Sequence, residues 1–221
     1  MFSAIILAGG KSERMGKDKA FLNLGRRTFI SMISQEMLRV SDEVIVVIGR
    51  KDAAPFKKEI RDGRVRFVND SHYIENPLGG MLTGFEAATN KYAAVVACDL
   101  PLIRNELIGK IFAEAEGHDA AVPIWNPEDK LSIEPLCAVY NAKKMKKAIK
   151  DSLGKGVFGC RLVVRSLSDV RYFPVSELRG YDPDLLFLNN INTRKDYLGL
   201  LEKYSFRVLS SQAMKKQTVL S

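Results

Sequence analysis

Apolar and polar residues are arranged along the chain in two patterns. In the first, apolar residues follow one another directly, which is typical of strands buried on both faces of a sheet. In the second, they recur every three or four positions, which predicts amphipathic helices. The first pattern predicts strands at residues 4–9, 43–49, 65–70, 93–99, 119–125, 135–141 and 171–175. The second predicts helices at residues 27–40, 53–62, 79–90, 104–116 and 142–150, and a final helix from about Thr193; residues 156–167 form a further amphipathic stretch.

This alternation of strands and helices predicts an α/β domain. Such units join parallel strands by right-handed crossovers, so we expect a mostly parallel sheet. The 221 residues are 46% hydrophobic, which is enough for one sizeable core. The sequence contains no internal repeat, long linker or low-complexity segment. We expect one domain over residues 1–204 and a basic C-terminal tail of no assigned role over residues 205–221.

The formal net charge of +8 at pH 7 suits an anionic partner such as a nucleotide, a phosphorylated cofactor or a nucleic acid. Much of the excess lies in residues 142–150 and in the tail, where a solvated helix face and a frayed end account for it. No apolar run approaches the ~20 residues that span a bilayer, and no secretory signal pattern opens the chain. These features predict a cytoplasmic protein.

The cysteines and histidines narrow the chemistry further. The 3 cysteines form no C-x-x-C pair. Cys98 and Cys137 lie inside apolar runs, which indicates buried, reduced thiols and agrees with a cytoplasmic location. Because the chain has only 2 histidines, we do not expect a zinc site built on histidines.

The stretch AIILAGGKSERMGKDKA at residues 4–20 runs from the first strand into a loop rich in glycine and cations. Gly9 and Gly10 let backbone N–H groups approach phosphate oxygens because no Cβ stands in the way. Arg14 offers a planar fork for phosphate, and Lys19 offers a point charge. The spacing matches neither a Walker A loop nor GxGxxG. An ordinary turn with solvated lysines is the alternative, but glycines and cations directly after a strand favour a phosphate-binding loop.

A carboxylate stands at the end of the most apolar strand. Ligands of open α/β sheets bind beyond the carboxyl ends of the strands, and Asp99 occupies such an end. An unpaired charge is costly there. A single aspartate suits Mg²⁺, which keeps several waters and takes further oxygens from substrate phosphates. A helix N-cap is the alternative, but Pro101 and Leu102 separate Asp99 from the next helix, so the position favours the metal.

Four further residues are candidates with less specific signals. Asp70, after the third strand, faces a ribose or base, or else caps a turn. Gly79 begins a helix, where backbone N–H groups meet an anion, or else packs that helix tightly on the sheet. Asn190 and Asn192 lie on one side of an extended segment, and their amides suit phosphates and ring edges equally.

Four segments, in this order, resemble the molybdenum cofactor guanylyltransferases: LAGGKSERMGKDK, ACDLPLI, EPLCAVYN and NNINT. The resemblance covers roughly residues 3–200. The first segment and the aspartate of the second are shared by the wider superfamily of nucleotide-diphospho-sugar-type transferases, whereas EPLCAVY and NINT narrow the match. The resemblance implies a single Rossmann-like three-layer (αβα) domain with a mostly parallel sheet.

The resemblance also implies transfer of GMP from GTP to molybdopterin-bound molybdenum, with release of pyrophosphate. GTP and molybdopterin would be the substrates and Mg²⁺ the cofactor. Other cofactor-biosynthesis proteins or molybdoenzymes would be transient partners, and neither nucleic acid nor a membrane is expected as one. The residues implied for nucleotide binding are Leu7, Ala8, Gly9, Gly10, Lys19, Asp70, Gly79 and Asp99. Those implied for other roles are Asn190 and Asn192 in binding the cofactor substrate, Arg14, Lys19 and Asp99 in catalysis, and Asp99 in binding the metal.

Two alternatives stay open. The family tends to place an asparagine after the second strand, where this chain has Gly49 and Arg50. The nearest alternative is the same chemistry on other substrates, namely cytidylyl or other nucleotidyl transfer to molybdopterin, a sugar phosphate or a small phosphorylated acid. The other is a non-catalytic nucleotide sensor or a nucleic-acid-binding module. Against this second alternative, the sequence has no aromatic stacking platform interleaved with basic residues. A dehydrogenase is not expected because GxGxxG is missing.

Overall fold

The computed structural model describes residues 1–10, 16–72, 74 and 76–204. The strands in this part of the chain are β1 (Ser3–Leu7), β2 (Asn23–Leu24), β3 (Arg27–Thr28), β4 (Glu43–Val47), β5 (Val65–Val68), β6 (Tyr92–Ala97), β7 (Ala120–Ile124), β8 (Cys137–Asn141) and β9 (Val170–Pro174). The helices are α1 (Phe29–Leu38), α2 (Ala54–Glu59), α3 (Pro77–Ala87), α4 (Asn105–Ala115), α5 (Ala142–Gly154) and α6 (Cys160–Arg165), followed by α7 over residues 194–204. The predicted basic tail, residues 205–221, lies outside the described residues.

The main sheet has seven strands in the order β5-β4-β1-β6-β8-β7-β9, and the hairpin β2-β3 stands apart from it. Strand β8 is antiparallel to both of its neighbours, and the other pairs in the sheet are parallel. The prediction of a mostly parallel sheet is confirmed. The chain moves outward from β1 to β4 and β5, then returns to β6 on the other side of β1. A topological switch point therefore lies between β1 and β6.

Helices cover both faces of this sheet. One apolar cluster packs α1, α2 and α4 against the first face, and a second packs α3, α5 and α6 against the other. Strand β1 supplies both clusters because Ala4 and Ile6 face the first and Ile5 faces the second. The crossover through α3 runs in the opposite direction to the two before it, so a right-handed connection places α3 on the opposite face. The three-layer domain is confirmed.

The hairpin β2-β3 differs from the prediction, which has residues 27 and 28 in a helix. Gly25 turns the hairpin at a φ of +64°. Thr28 ends β3, and its side chain accepts a hydrogen bond from the Ser31 N–H, so α1 begins only at Phe29. A threonine in this position satisfies an N–H that the helix itself leaves open. The periodicity of the following helix hides this two-residue strand from a reading of the sequence.

Among the described residues, none of the helices combines the length and the apolar character that a membrane crossing requires.

Glu43 forms hydrogen bonds to several segments at the sheet edge opposite the carboxyl ends of the parallel strands. Its carboxylate accepts hydrogen bonds from the Ser3 hydroxyl at 2.6 Å and from the Thr89 N–H and hydroxyl at 2.8 Å each. Arg66 donates another at 2.6 Å. Burial raises the pKa of Glu43, but these hydrogen bonds outweigh burial and bring the pKa from 4.5 to about 2.

We expect Glu43→Gln to lower stability at neutral pH by roughly 1–3 kcal/mol, because a partly buried charge that accepts several hydrogen bonds is lost. Because the pKa of Glu43 is depressed in the folded state, its stabilisation is present above about 4.5 and is lost as the pH falls toward about 2. Thermal unfolding across this pH range measures the effect. The gap between variant and parent should close as the pH falls, and an equal gap at every pH would contradict the assignment.

Candidate active site at the carboxyl edge of the sheet

The ends of β1, β4, β5 and β6 open into a cavity of about 650 Å³. Strand β1 pairs in register with β4 and β6 from Ser3 to Leu7, so the residues that come after these strands are brought side by side. The cavity is lined by Leu7, Gly9, Gly10, Lys19, Val47, Gly49, Asp70, Ile74, Asn76, Pro77, Gly80, Ala97, Cys98, Asp99, Leu136 and Asn192. This edge, next to the switch point, is where an open α/β sheet binds ligands.

Two glycines cross closely where β1 and β4 end. A Cβ on Gly9 would lie 2.9 Å from the Gly49 Cα and N, and a Cβ on Gly49 would meet the Gly9 backbone at the same distance. Gly49 also has a φ of +66°, where a side chain is strained. Apart from its chain neighbours, no described residue lies within 4 Å of a Cβ placed on Gly10. The first glycine of the pair is therefore needed for packing, and the second leaves backbone open to a ligand.

Lys51 joins the two ends of the loop that comes after β1. Its Nζ donates to the Ala8 carbonyl at 2.6 Å and forms an ion pair with Asp18 Oδ2 at 2.6 Å. Asp18 Oδ1 in turn accepts from the Ala20 N–H at 3.1 Å and caps the 3₁₀ turn Lys19–Phe21. One cation thus fixes the residue before the diglycine and the residue before Lys19. This places Lys19 at the cavity.

We expect Lys51→Met to weaken nucleotide binding about tenfold, because a charge-assisted hydrogen bond and an ion pair are lost together. Both side chains of the ion pair are about three-quarters buried, at 24% and 25% exposure, so water does not replace the contact fully. The nucleotide-induced rise in Tm and the KM for nucleotide measure the effect. Lys58→Met, an exposed lysine on α2, is the matched control. Equal nucleotide binding by both variants would contradict the role of Lys51.

Asp99 is the charged centre of the cavity. Its side chain is 18% exposed, and Oδ2 lies 3.6 Å from Lys19 Nζ. Oδ1 is buried and, in the part of the chain that the structure describes, has no hydrogen-bond partner. Burial raises the pKa of Asp99, and the charge of Lys19 opposes that rise. The next helix, α4, begins at Asn105 with Arg104 as its cap, so the N-cap alternative for Asp99 is excluded.

The segment before α7 brings an amide to the same point. The Ile191 N–H donates to the Asp99 carbonyl at 3.1 Å, which fixes this segment against the end of β6. Asn192 Oδ1 accepts from Lys19 Nζ at 2.7 Å. Thr193 caps α7 by accepting from the Asp196 N–H at 3.2 Å. Asn190 is exposed and does not line the cavity.

Asp70 and the start of α3 form the other end of the cavity. Asp70 lines the cavity, and its Oδ1 accepts from the His72 N–H and the Thr83 hydroxyl at 2.9 Å each. The carboxylate therefore holds a turn as well as facing the cavity. A Cβ on Gly79 would meet the Ile74 carbonyl at 3.0 Å, which fits the packing alternative, whereas its neighbour Gly80 lines the cavity.

The structure thus gathers most of the predicted site residues at one place. The residues that line the cavity are Leu7, Gly9, Gly10, Lys19, Asp70, Asp99 and Asn192. Those that do not line it are Ala8, Gly79 and Asn190, and Ala8 is fully buried behind the glycine turn. Arg14 lies outside the described residues.

Several contributors to the site are missing from the sequence-based prediction, of which Lys51 and Asp18 are the most informative. The predicted site residues of the first half of the chain come after the first, third and fourth strands. Lys51 follows β4, which is the second predicted strand. The rule that ligands bind at strand ends therefore also marks Lys51 as a candidate. Asn76 and Leu136 line the cavity without any signal of chemistry in the sequence.

A sheet edge of this kind is suited to binding nucleotide phosphates, with a glycine turn for close approach and one lysine beside a buried carboxylate. The fold and the site together are those of a nucleotidyltransferase domain. A family model identifies the particular family. The MobA-like NTP transferase domain matches residues 4–170, and the chain belongs to this family.

A curated relative agrees with this assignment, and solved structures share the fold. A protein of Methanosarcina acetivorans named probable molybdenum cofactor guanylyltransferase is 36% identical over 199 residues, which cover 88% of this chain and 87% of that protein. The crystal structure of molybdopterin-guanine dinucleotide biosynthesis protein A from Archaeoglobus fulgidus superposes with a TM-score of 0.74 at 23% identity, over 95% of this chain and 99% of that one. The 4-diphosphocytidyl-2C-methyl-D-erythritol synthase of Anaerococcus prevotii shares the fold with a TM-score of 0.72 at 16% identity, over 92% and 95%. The resemblance stated from four sequence segments is confirmed.

Proposed function

We propose that this protein transfers GMP from GTP to the molybdopterin-bound molybdenum cofactor, giving the guanine dinucleotide form and pyrophosphate in the cytoplasm. The names of its relatives support these substrates. The observation that carries the proposal is Lys19 held between Asp99 and Asn192 at the cavity. Three distant parts of the chain meet there, with a cation, a carboxylate and an amide suited to phosphate groups.

The proposed reaction is an exchange of one phosphorus–oxygen bond for another. A phosphate oxygen of the acceptor bonds to the α-phosphorus of GTP, and the bond from that phosphorus to the bridging oxygen breaks. Pyrophosphate leaves with the electron pair. A phosphate monoester is already an anion at neutral pH, so no general base is required. Charge repulsion and alignment form the barrier, and Lys19 would lower it by its charge and Asn192 by a hydrogen bond.

Asp99 fits the proposed Mg²⁺ ion. Its buried Oδ1, which has no partner among the described residues, is the kind of oxygen that a cation requires. In that part of the chain no group of three or more His, Cys, Asp or Glu residues is suited to a metal. Phosphate oxygens and water would therefore supply the remaining ligands. When bound, Mg²⁺ would neutralise phosphate charge.

The other proposed contacts lie along the cavity wall and beyond it. Gly10 and Arg14 would bind phosphates, and Asp70 would contact the nucleoside. Asn190 would contact the cofactor substrate beyond the lining of the cavity. Transient contacts with other cofactor-biosynthesis proteins or with molybdoenzymes would deliver substrate and product.

Pyrophosphate release with GTP, CTP, ATP and UTP, each with Mg²⁺ and molybdopterin cofactor, tests the proposal. We expect turnover with GTP at least about tenfold above the others, since one or two base-specific hydrogen bonds give that ratio. A preference for CTP would instead establish cytidylyl transfer. Salt-sensitive nucleic-acid binding without pyrophosphate release from any nucleotide would overturn the enzyme assignment.

A further inference from the structure

A group of side chains outside the cavity lining stands where β7 ends and β8 is about to begin. We call Trp125 and Glu134 the rim cluster. Leu136, two residues after Glu134, lines the cavity, so the cluster adjoins the wall near Asp99. Gly49, Asp70 and Gly80 line the cavity beside β4, β5 and α3. The rim cluster is therefore on the opposite side of the cavity from the proposed nucleoside contacts. This side is available to the second substrate.

Backbone hydrogen bonds hold Trp125 and Glu134 together. The Trp125 N–H donates to the Ser132 carbonyl at 2.7 Å, and the Glu134 N–H donates to the Pro123 carbonyl at 3.0 Å. The indole N–H of Trp125 donates to Glu134 Oε1. Trp125 is 49% exposed although it is a large aromatic residue. A fixed and half-exposed indole offers a flat surface on which a planar ring can stack.

The charge of Glu134 restricts what can bind beside it. The side chain is half-buried. Burial raises the pKa of Glu134, the Trp125 hydrogen bond and the charge of Arg161 lower it, and the charge of Asp99 raises it. A carboxylate beside the cavity wall repels phosphate, which both proposed substrates carry. The group that meets Glu134 is therefore one that donates hydrogen bonds.

We propose that the rim cluster binds the heterocycle of the acceptor, with Trp125 stacked on the ring and Glu134 accepting from an aminopyrimidinone edge. This inference rests on the proposed function for the identity of the acceptor. An aminopyrimidinone edge presents adjacent N–H donors, and one carboxylate accepts from two of them at once. The phosphate of the acceptor is then left to point toward Lys19 and away from Glu134.

The chain contains 1 tryptophan, so Trp125 reports directly on its own contact. The probes are pterin, which has the 2-amino group, and lumazine, which carries an oxygen in its place. We expect pterin to quench the tryptophan fluorescence of the full chain saturably and to bind about tenfold more tightly than lumazine, because only pterin offers the amino donor. Glu134→Gln keeps an oxygen for the indole N–H but removes the charge, and it should abolish this tenfold preference. Glu128→Gln, an exposed glutamate in the same connection, should retain it.

The outcomes separate this inference from the proposed function. Absence of saturable quenching by pterin, or equal affinity for pterin and lumazine in both the parent and Glu134→Gln, would overturn the rim cluster as a heterocycle site. The GTP-induced rise in Tm should be unchanged in Glu134→Gln. In turnover assays the variant should raise the KM for molybdopterin cofactor about tenfold and leave the KM for GTP unchanged. Failure of pyrophosphate release in the parent protein would overturn the proposed function, whereas the quenching experiment does not depend on turnover.

Discussion

Asp99→Ala should lower turnover by about 10³-fold or more while the protein stays folded, because the variant removes the one cavity carboxylate proposed to hold Mg²⁺. The loss is expected in kcat as well as in kcat/KM, since the charge of the reacting phosphates increases the need for neutralisation at the transition state. Asp99→Asn should lose nearly as much, because an amide oxygen of similar shape lacks the negative charge. Pyrophosphate release under saturating GTP and Mg²⁺ measures both variants.

The stability of Asp99→Asn provides a second readout: its turnover should fall, whereas its Tm should rise. Burial raises the pKa of Asp99, so the folded state favours the neutral acid. The stabilisation that goes with a raised carboxyl pKa is complete below the pKa of the unfolded chain and is lost as the pH rises through the folded pKa. At neutral pH without metal, Asp99→Asn should therefore raise the Tm, and the gain should disappear in acid. Active sites often carry such a stability penalty.

Two outcomes would contradict the role of Asp99. Near-normal pyrophosphate release in a folded Asp99→Ala protein would remove the metal assignment. A lower Tm for Asp99→Asn at neutral pH would show that the carboxylate stabilises the fold rather than destabilising it. Asp42→Ala, at an exposed aspartate just before β4, is the matched control and should leave turnover unchanged.

The sheet and the position of Asp99 could be predicted from the sequence because both depend on short-range patterns. Fully buried strands are apolar on consecutive residues, and the first polar residue after such a strand marks its carboxyl end. The predicted strand at residues 93–99 ends at Ala97 in the structure, which leaves Asp99 in a turn at the sheet edge. The alternation of strands and helices then determines which strand ends share that edge.

Contacts between distant parts of the chain could not be predicted in this way. The bond from Lys51 to the Ala8 carbonyl joins residues 43 positions apart, and that from Lys19 to Asn192 joins residues 173 positions apart. A lysine after a strand looks like any solvated lysine until the partner strand is placed beside it. The need for glycine at residue 49 likewise arises from the backbone of Gly9 crossing it at close range. Periodicity along the chain contains no information about such crossings.

Lys19→Ala should lower kcat/KM by about 10²–10³-fold, the usual loss when one preorganised charge is removed from a reacting group. Its Nζ contacts Asn192 Oδ1 at 2.7 Å and lies 3.6 Å from Asp99 Oδ2. The variant therefore loses both the hydrogen bond to Asn192 and the ion pair with Asp99. Lys19→Arg should recover part of the activity, because the charge remains but the planar guanidinium fits the position of an ammonium poorly. Lys17→Ala, at an exposed lysine two residues earlier, should have near-normal activity.

The pH dependence separates an electrostatic role of Lys19 from a purely structural one. Burial raises the pKa of Asp99, and the charge of Lys19 opposes that rise. Removing the charge in Lys19→Ala should raise the pKa of Asp99 further, so a smaller fraction of the carboxylate is ionised at a given pH. The acidic limb of the profile of kcat/KM against pH should therefore move to higher pH in Lys19→Ala and stay near its original position in Lys19→Arg. A loss of activity that is uniform across pH would show that Lys19 acts on substrate phosphates alone, without tuning Asp99.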